Sequence, residues 1–191
     1  IISASNNTAV GYNAADAVTT GTTVVAVGNG ALGAMTTGSD NVAVGVGAGG
    51  AITTHQYNTF VGHQTGRLCT DGANVAMGAY SFYDATTAAN NTCLGGWAGE
   101  NITTGDNNTV VGKSAASSLL TGNNNTCIGY QAGDALTTGG NNIVIGNGAD
   151  ASAVDVSNTV TLGSSSMGVL RCQQTSITAL SDRRDKKDIK D

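Results

Sequence analysis

Residues 108–112, 125–129 and 142–146 read NTVVG, NTCIG and NIVIG, three copies of one pattern spaced 17 residues apart. The closing glycine of this pattern recurs ten times, at Gly11, Gly28, Gly45, Gly62, Gly78, Gly95, Gly112, Gly129, Gly146 and Gly163. The step between these repeat glycines is 17 residues everywhere except for one step of 16. Such a period predicts a repeat architecture, in which each unit buries its apolar face against its neighbours.

The residues around each repeat glycine recur as well. Asparagine stands four positions before it in eight of the ten repeats, at Asn7, Asn41, Asn58, Asn74, Asn91, Asn108, Asn125 and Asn142. The residue directly before the glycine is always apolar, and we expect that position to face a core. Alanine lies three residues after the glycine in most repeats and an apolar residue lies seven after it. Because both offsets are odd, these two positions share a face in extended chain, which predicts two short strands in each rung.

Turn signals separate the predicted strands. The triplet Thr-Thr-Gly recurs at residues 19–21, 36–38, 103–105 and 137–139, usually followed by Asn-rich pairs. Glycine and asparagine tolerate left-handed backbone angles that other residues resist. Stacked rungs would place equivalent residues about 4.8 Å apart, so the asparagine column is expected to form an amide ladder. The sequence therefore predicts an all-β solenoid of about ten rungs over residues 1–163.

The middle residue of the first predicted strand indicates oligomerisation. This position, two before the glycine, is mostly apolar, for example Ala43, Phe60, Cys93 and Val110. It should point away from the position assigned above to the core, and strands that are apolar on both faces are covered on both faces. A second copy of the chain is the expected cover.

Composition and charge exclude several function classes. The net charge is −5, and residues 1–180 hold nine acids against Arg67, Lys113 and Arg171. Nucleic-acid binding needs a basic stripe, which this pattern lacks. There is no apolar run of membrane-spanning length, so we expect no membrane insertion. With 28 glycines and 4% aromatic residues, the chain is also poor in the large side chains of a thick globular core.

The repeats resemble a known group of proteins. Units such as 108–112 and 125–129, with Thr-Thr-Gly turns between them, are similar to the head repeats of trimeric autotransporter adhesins and of phage tail fibres. The resemblance implies a left-handed parallel β-roll with three chains side by side. The autotransporter units are shorter than 17 residues, so the longer form favours the phage group.

The end of the chain carries a second resemblance. Residues 181–189, SDRRDKKDI, are similar to the opening of the intramolecular chaperone, or S74 peptidase, domain that follows phage tail spikes and fibres. The resemblance implies that Ser181 is the nucleophile of a self-cleavage near the Leu180–Ser181 bond and that Lys186 is its basic partner, since a hydroxyl needs a nearby base. The alternative is that Ser181 caps a short charged helix. We expect residues 164–180 to be an extended connector and 181–191 to be a truncated, inactive start of the chaperone.

The cysteines predict neither a disulfide nor a metal site. Cys93 and Cys127 occupy the same offset two rungs apart, about 9.6 Å by strand spacing, which exceeds the roughly 7 Å limit for a bridge. Cys69 lies at another offset and Cys172 follows the repeats. No histidine or cysteine pair has zinc-like spacing. Buried free thiols suit assembly in a reducing cytoplasm, and no cofactor or metal is expected.

Aromatic residues concentrate where the repeat departs from its pattern. Six of the chain's eight aromatic residues fall within three neighbouring rungs, around the single 16-residue step from Gly62 to Gly78. Deviations in a repeat protein often mark its binding face. The candidate receptor contacts are Tyr57, His63, Arg67, Tyr80, Phe82, Tyr83 and Trp97. The alternative is local packing that fills the register break or a seam between subunits.

An enzyme is not expected. Glycan-cleaving solenoids need two carboxylates facing one groove, whereas residues 1–163 hold one glutamate and scattered aspartates. Ice binding is disfavoured because the adjacent threonines of the turns diverge.

The predicted function is that of a trimeric phage tail fibre segment, assembled in the host cytoplasm and carried on the virion. Its predicted partners are copies of itself, other tail proteins and a host cell-surface glycan or protein. The alternative is a trimeric adhesin head on a bacterial surface.

Overall fold

The computed structural model describes residues 4–169, which form a β-solenoid of ten parallel strands. Each strand has three residues: β1 (Thr8–Val10), β2 (Val25–Val27), β3 (Val42–Val44), β4 (Thr59–Val61), β5 (Val75–Met77), β6 (Thr92–Leu94), β7 (Thr109–Val111), β8 (Thr126–Ile128), β9 (Ile143–Ile145) and β10 (Val160–Leu162). They form one sheet in which every strand pairs with the next along the chain. Thr109 pairs with Thr126 and Val110 with Cys127, so one 17-residue repeat is one turn of the solenoid. The predicted all-β solenoid of 17-residue rungs is confirmed.

The repeat glycine makes the corner after each strand. Gly95 has a φ of 134°, a region that strongly favours glycine. A β-carbon built on it would lie 2.7 Å from the backbone of Gly112 in the next turn. Both backbone angle and close approach therefore require glycine here, which explains the strict 17-residue period.

The two faces of the strands are the reverse of our expectation. The middle residue of the strand is fully buried in eight repeats, including Ala43, Phe60 and Cys127. The residue before the glycine is partly exposed instead, as at Met77 (45%) and Ile145 (39%). The middle residue lies two positions after the repeat asparagine, and residues two apart share a face of a strand. Because the asparagine is buried, the middle residue is buried with it.

The second strand predicted in each rung is also wrong. Among residues 4–169, strands are confined to the ten given above, and the segment after each repeat glycine forms turns. Left-handed backbone angles alternate there, for example at Tyr80 (φ 57°) and Phe82 (φ 54°), which breaks the extended pleat. The expected inward positions are nevertheless confirmed, since Ala98 and Ile102 are fully buried.

The predicted asparagine ladder is confirmed. The side-chain oxygen of Asn108 accepts hydrogen bonds from the backbone N–H (2.9 Å) and side-chain amide (3.2 Å) of Asn125. Asn125 also donates to the carbonyl oxygen of Gly139 at 2.9 Å. At the last rung Thr159 replaces asparagine, and its hydroxyl donates to Asn142 at 2.8 Å. All buried side-chain N and O atoms in the described residues have partners, as native interiors require.

The 16-residue turn leaves the sheet intact. Thr59 still pairs with Val75 and Phe60 with Ala76. Thr70 keeps the equivalent backbone bond to Thr86, at 2.8 Å, so the missing residue falls in the turn between Thr70 and Asn74. The shorter turn therefore lacks one residue in an exposed segment, and the pairing of the strands is unchanged.

The connector and the C-terminal segment are described only in part. Residues 164–167 form a turn, closed by a 3.0 Å hydrogen bond from the Met167 N–H to the Ser164 carbonyl. Residues 170–191 lie outside the described residues, so the predicted chaperone start remains a prediction. The described residues include no helix with the length and apolarity needed to cross a membrane.

Candidate binding surface

Two surfaces run the length of the solenoid on either side of the repeat glycines. We call the outward first and third residues of the strands the strand face. We call the outward residues one, two, five and six positions after each repeat glycine the turn face. Because every turn repeats the same geometry, each offset generates a column of side chains along the axis.

An aromatic cluster lies on the turn face. The rings of Tyr80 and Trp97 occupy the same offset in consecutive turns and stack with centroids 6.0 Å apart and planes inclined by 9°. His63 meets Tyr80 edge-on at 5.2 Å, and Tyr83 lies 5.7 Å from Tyr80. These are favourable geometries for aromatic pairs. Four of the predicted contact residues are thus brought together.

Two cations complete this group. The guanidinium of Arg67 lies 5.8 Å from the Tyr83 ring centroid, and its Nη1 donates a 2.9 Å hydrogen bond to the Tyr83 hydroxyl. The Lys113 Nζ lies 5.3 Å from the Trp97 ring centroid. Both distances suit cation–π attraction. We call His63, Arg67, Tyr80, Tyr83, Trp97 and Lys113 the aromatic–cationic cluster.

A groove of about 420 Å³ continues from the cluster along the turn face. Its lining residues are Asn29, Gly30, Val46, Gly47, Gly50, Ala51, Gln64, Arg67 and Leu68. Gly30 and Gly47 lie two residues after their repeat glycines, the offset at which Tyr80 and Trp97 stand farther along. The missing side chains in this column open the groove, and Arg67 belongs to both the groove and the cluster.

Acidic residues bound the cluster on one side. Glu100 follows Arg67 and Tyr83 in the same column, one turn beyond Tyr83. Burial raises the pKa of the Glu100 carboxyl, and the nearby charge of Asp84 raises that pKa further. Arg67 therefore lies at the end of the cluster next to the groove, whereas Lys113 lies at the other end, one turn beyond Glu100.

The remaining predicted site residues lie elsewhere. Tyr57 is 65% exposed and lines a second groove with Asp71 and Gly72, beside the deletion in the 16-residue turn. Phe82 is fully buried in the core and is not available to a ligand. Ser181 and Lys186 lie outside the described residues. The sequence did not single out Lys113 or the glycines of the groove, although their offsets place them on the same face.

The buried cysteines do not form a chemical site. Cys69, Cys93 and Cys127 are free and fully buried. Burial raises the pKa of Cys69 and of Cys127 to about 12, so these thiols stay protonated and unreactive at neutral pH. In residues 4–169, histidine, cysteine and carboxylate side chains do not gather into groups of three that could hold a metal ion.

No protein-family model matches the sequence, and comparisons with characterised proteins and with solved structures also found no significant match.

Proposed function

We propose that this chain is the shaft of a homotrimeric phage tail fibre and presents its turn face to the host. The observation that carries the proposal is the apolar strand face. The third residues of the strands form a column that is apolar throughout, and five of the ten first residues are valine or isoleucine while the other five are threonine. Apolar residues of both columns are partly exposed in the single chain: Val10 57%, Met77 45%, Ile128 38%, Ile143 40%, Ile145 39%, Val160 65% and Leu162 43%.

An apolar surface of this length is unusual on a single chain. Contiguous exposed apolar patches on soluble proteins mark interaction sites, and parallel sheets are generally covered on both faces. The buried and outward faces are the reverse of those expected from the sequence, but the outward face is still apolar and still needs a covering chain. Three copies around a common axis would bury the strand faces together and leave the turn faces outward. The number three and the left-handed coil rest on the resemblance of the repeats.

The single chain is well suited to span distance. Each turn bonds to the next through the sheet, through the asparagine ladder and through turn contacts such as the 2.9 Å bond from the Thr86 hydroxyl to the Thr103 carbonyl. Stacked repeats of this kind form quasi-one-dimensional rods whose stability is the sum of neighbouring contacts.

In the proposed fibre, self-cleavage by Ser181 and Lys186 would require a complete chaperone domain.

The trimer is tested by measuring the mass of the full chain by light scattering. We expect three times the chain mass of 18.9 kDa. Val44→Lys together with Val111→Lys should reduce it to the monomer mass, because both side chains point outward on the strand face and lysine there would be buried without a partner. Asn147→Lys adds the same charge on the turn face and should leave the trimer intact. A monomeric wild-type chain would refute the proposal.

Electron microscopy of infected cultures, labelled with an antibody against the chain, tests whether the protein is carried on virions or on bacterial cells. A phage fibre predicts label on the tails of virions. Label confined to bacterial cell surfaces would instead identify the trimeric adhesin.

A further inference from the structure

The groove and the aromatic–cationic cluster form one continuous surface, joined at Arg67. We propose that this surface binds an acidic oligosaccharide, with a carboxylate of the sugar on Arg67 and sugar rings against Tyr80 and Trp97. The inference rests on the proposed adhesive function and names the class of ligand that the fibre would recognise.

The aromatic rings provide an apolar contact surface. Trp97 is 39% exposed although it stacks on Tyr80 and carries Lys113 above its ring. Because Trp97 lies between Tyr80 and Lys113, a sugar would contact the exposed edge of the Trp97 ring through its C–H groups rather than stack on a ring face. The contacts among the cluster side chains hold these rings in place before binding, which lowers the entropic cost of binding.

The distribution of cations indicates an acidic ligand. Residues 4–169 contain two Lys or Arg residues, Arg67 and Lys113, and both belong to the cluster. The same residues hold nine acidic side chains, so within them positive charge is scarce and lies in this cluster. Arginine matches a carboxylate through two parallel hydrogen bonds, and the bond to the Tyr83 hydroxyl orients the guanidinium.

The groove provides the shape. Its volume of about 420 Å³ falls within the range of small-ligand sites. The side chains of Val46 and Leu68 are 47% and 40% exposed and supply an apolar lining, while the amides of Asn29 and Gln64 can bond to hydroxyls. Arg67 is the charged residue of this lining; Asp84 follows Leu68 in the same column, one turn on, and Glu100 lies one turn beyond Tyr83. A protein partner would typically need about 800 Å² of complementary surface, which suits a narrow groove less well.

Trp97 makes the inference directly testable because it is the only tryptophan in the chain. The emission of the full chain is titrated with oligomers of a hexuronic acid, oligomers of sialic acid, neutral hexose oligomers of equal length and a sulfated oligomer. We expect a saturable change with at least one carboxylated oligomer and binding about tenfold weaker or absent with the neutral one. No response to either carboxylated oligomer, equal binding of the neutral oligomer, or a response to the sulfated oligomer alone would overturn the inference.

Two variants change the groove without disturbing the fold. Gly47→Gln fills the groove, and the backbone accepts glutamine there because Gln64 and Gln131 occupy the same column with φ of 53° and 50°. Arg67→Gln removes the charge. Each should weaken carboxylated-oligomer binding about tenfold. Gly148→Gln is the matched control, since it adds the same side chain in the same column, at an open site far from the groove, and should bind like wild type.

Failure of this inference can be distinguished from failure of the proposed function. If the wild-type trimer and Gly47→Gln attach equally to host cells, and Gly47→Gln keeps oligomer affinity, the groove is not the site although the chain is adhesive. If the attachment depends on a host protein and survives removal of surface glycans, a protein partner replaces the oligosaccharide. If wild type attaches to no host cell, the adhesive function fails, whereas the oligomer titration still decides whether the groove binds sugar.

Discussion

At the scale of single residues, two positions define the repeat: one accepts only glycine, and the other is occupied by asparagine in most turns. The repeat glycine satisfies a backbone angle and a contact that a β-carbon would violate. The repeat asparagine supplies an acceptor and donors that the next turn uses. Both residue types could be recognised in the sequence because the same constraint returns every 17 residues.

Gly95→Ala tests the corner. The substitution places a β-carbon 2.7 Å from the backbone of Gly112 at a φ of 134°, so we expect the free energy of unfolding in urea to fall by about 2–4 kcal/mol. Gly96→Ala is the neighbouring control. Its β-carbon would meet Ala79 at 3.8 Å, so its effect should stay within about 0.5 kcal/mol. Equal effects of the two substitutions would contradict the proposed role of the corner.

Asn108→Ala tests the ladder. It removes the acceptor for the Asn125 N–H and the donor to the Gly122 carbonyl, and both partners are buried. Unsatisfied buried groups cost about 1–3 kcal/mol each, so we expect a loss of about 2–4 kcal/mol in urea unfolding. Asn147→Ala changes an exposed asparagine and should be nearly neutral. If Asn108→Ala leaves the free energy of unfolding unchanged, water must replace the hydrogen bonds of Asn108, and the ladder does not stabilise the fold.

At the scale of elements, the sequence located the strands but misassigned their faces. The repeat glycine marks where each strand ends, and all ten strands end directly before it. The apolar residue before the glycine suggested a core position, yet the small residues at the middle position, such as Ala43 and Cys127, were the better signal of a narrow interior. The second strand failed because residue type alone does not reveal the left-handed angles of Leu32 and Phe82.

The candidate surface was likewise predictable only in part. Aromatic residues at matching offsets, such as Tyr80 and Trp97, could be recognised as a departure from the repeat. The groove could not, because it consists of absent side chains at Gly30 and Gly47, and glycine is common throughout the chain.

Alkaline pH tests the buried cysteine columns. In the unfolded chain the thiols titrate near 9.0, whereas burial raises the pKa of Cys69 and Cys127 to about 12 in the folded chain. Their contribution to stability is therefore complete below pH 9.0 and is lost as the pH rises towards 12, by at most about 1.4 kcal/mol per thiol and pH unit. The measurement is urea unfolding from pH 8 to 11.

The matched variant combines Cys69→Ala with Cys127→Ala. Alanine already stands at the equivalent positions in other turns, at Ala85 and Ala76, and is fully buried there. The two proteins differ only at these two thiols, so the difference between their stability curves isolates them. Parallel curves over this range would show that the thiols do not carry the effect.

At the scale of the whole molecule, a single rule generates the structure and its surfaces. One repeat is one turn, so each offset becomes a column: a buried amide ladder, an apolar strand face and a turn face that carries the cluster. The strand face is the proposed interface between copies, and the turn face carries the proposed ligand surface. Length is then set by repeat number, and an outward side chain in one column can change without altering the stacking of the turns.

A disulfide test addresses this rule most directly. Thr92 and Thr109 are paired on adjacent strands, whereas Thr92 and Thr126 are two strands apart. In a background with the four native cysteines replaced by alanine, cysteines are introduced at 92 and 109, or at 92 and 126, and intrachain disulfides are quantified by mass spectrometry after oxidation. Adjacent strands lie about 4.8 Å apart, within bridging distance. We expect the 92–109 bridge to form readily and the 92–126 bridge to be scarce; equal yields, or a preference for 92–126, would contradict a coil of one repeat per turn.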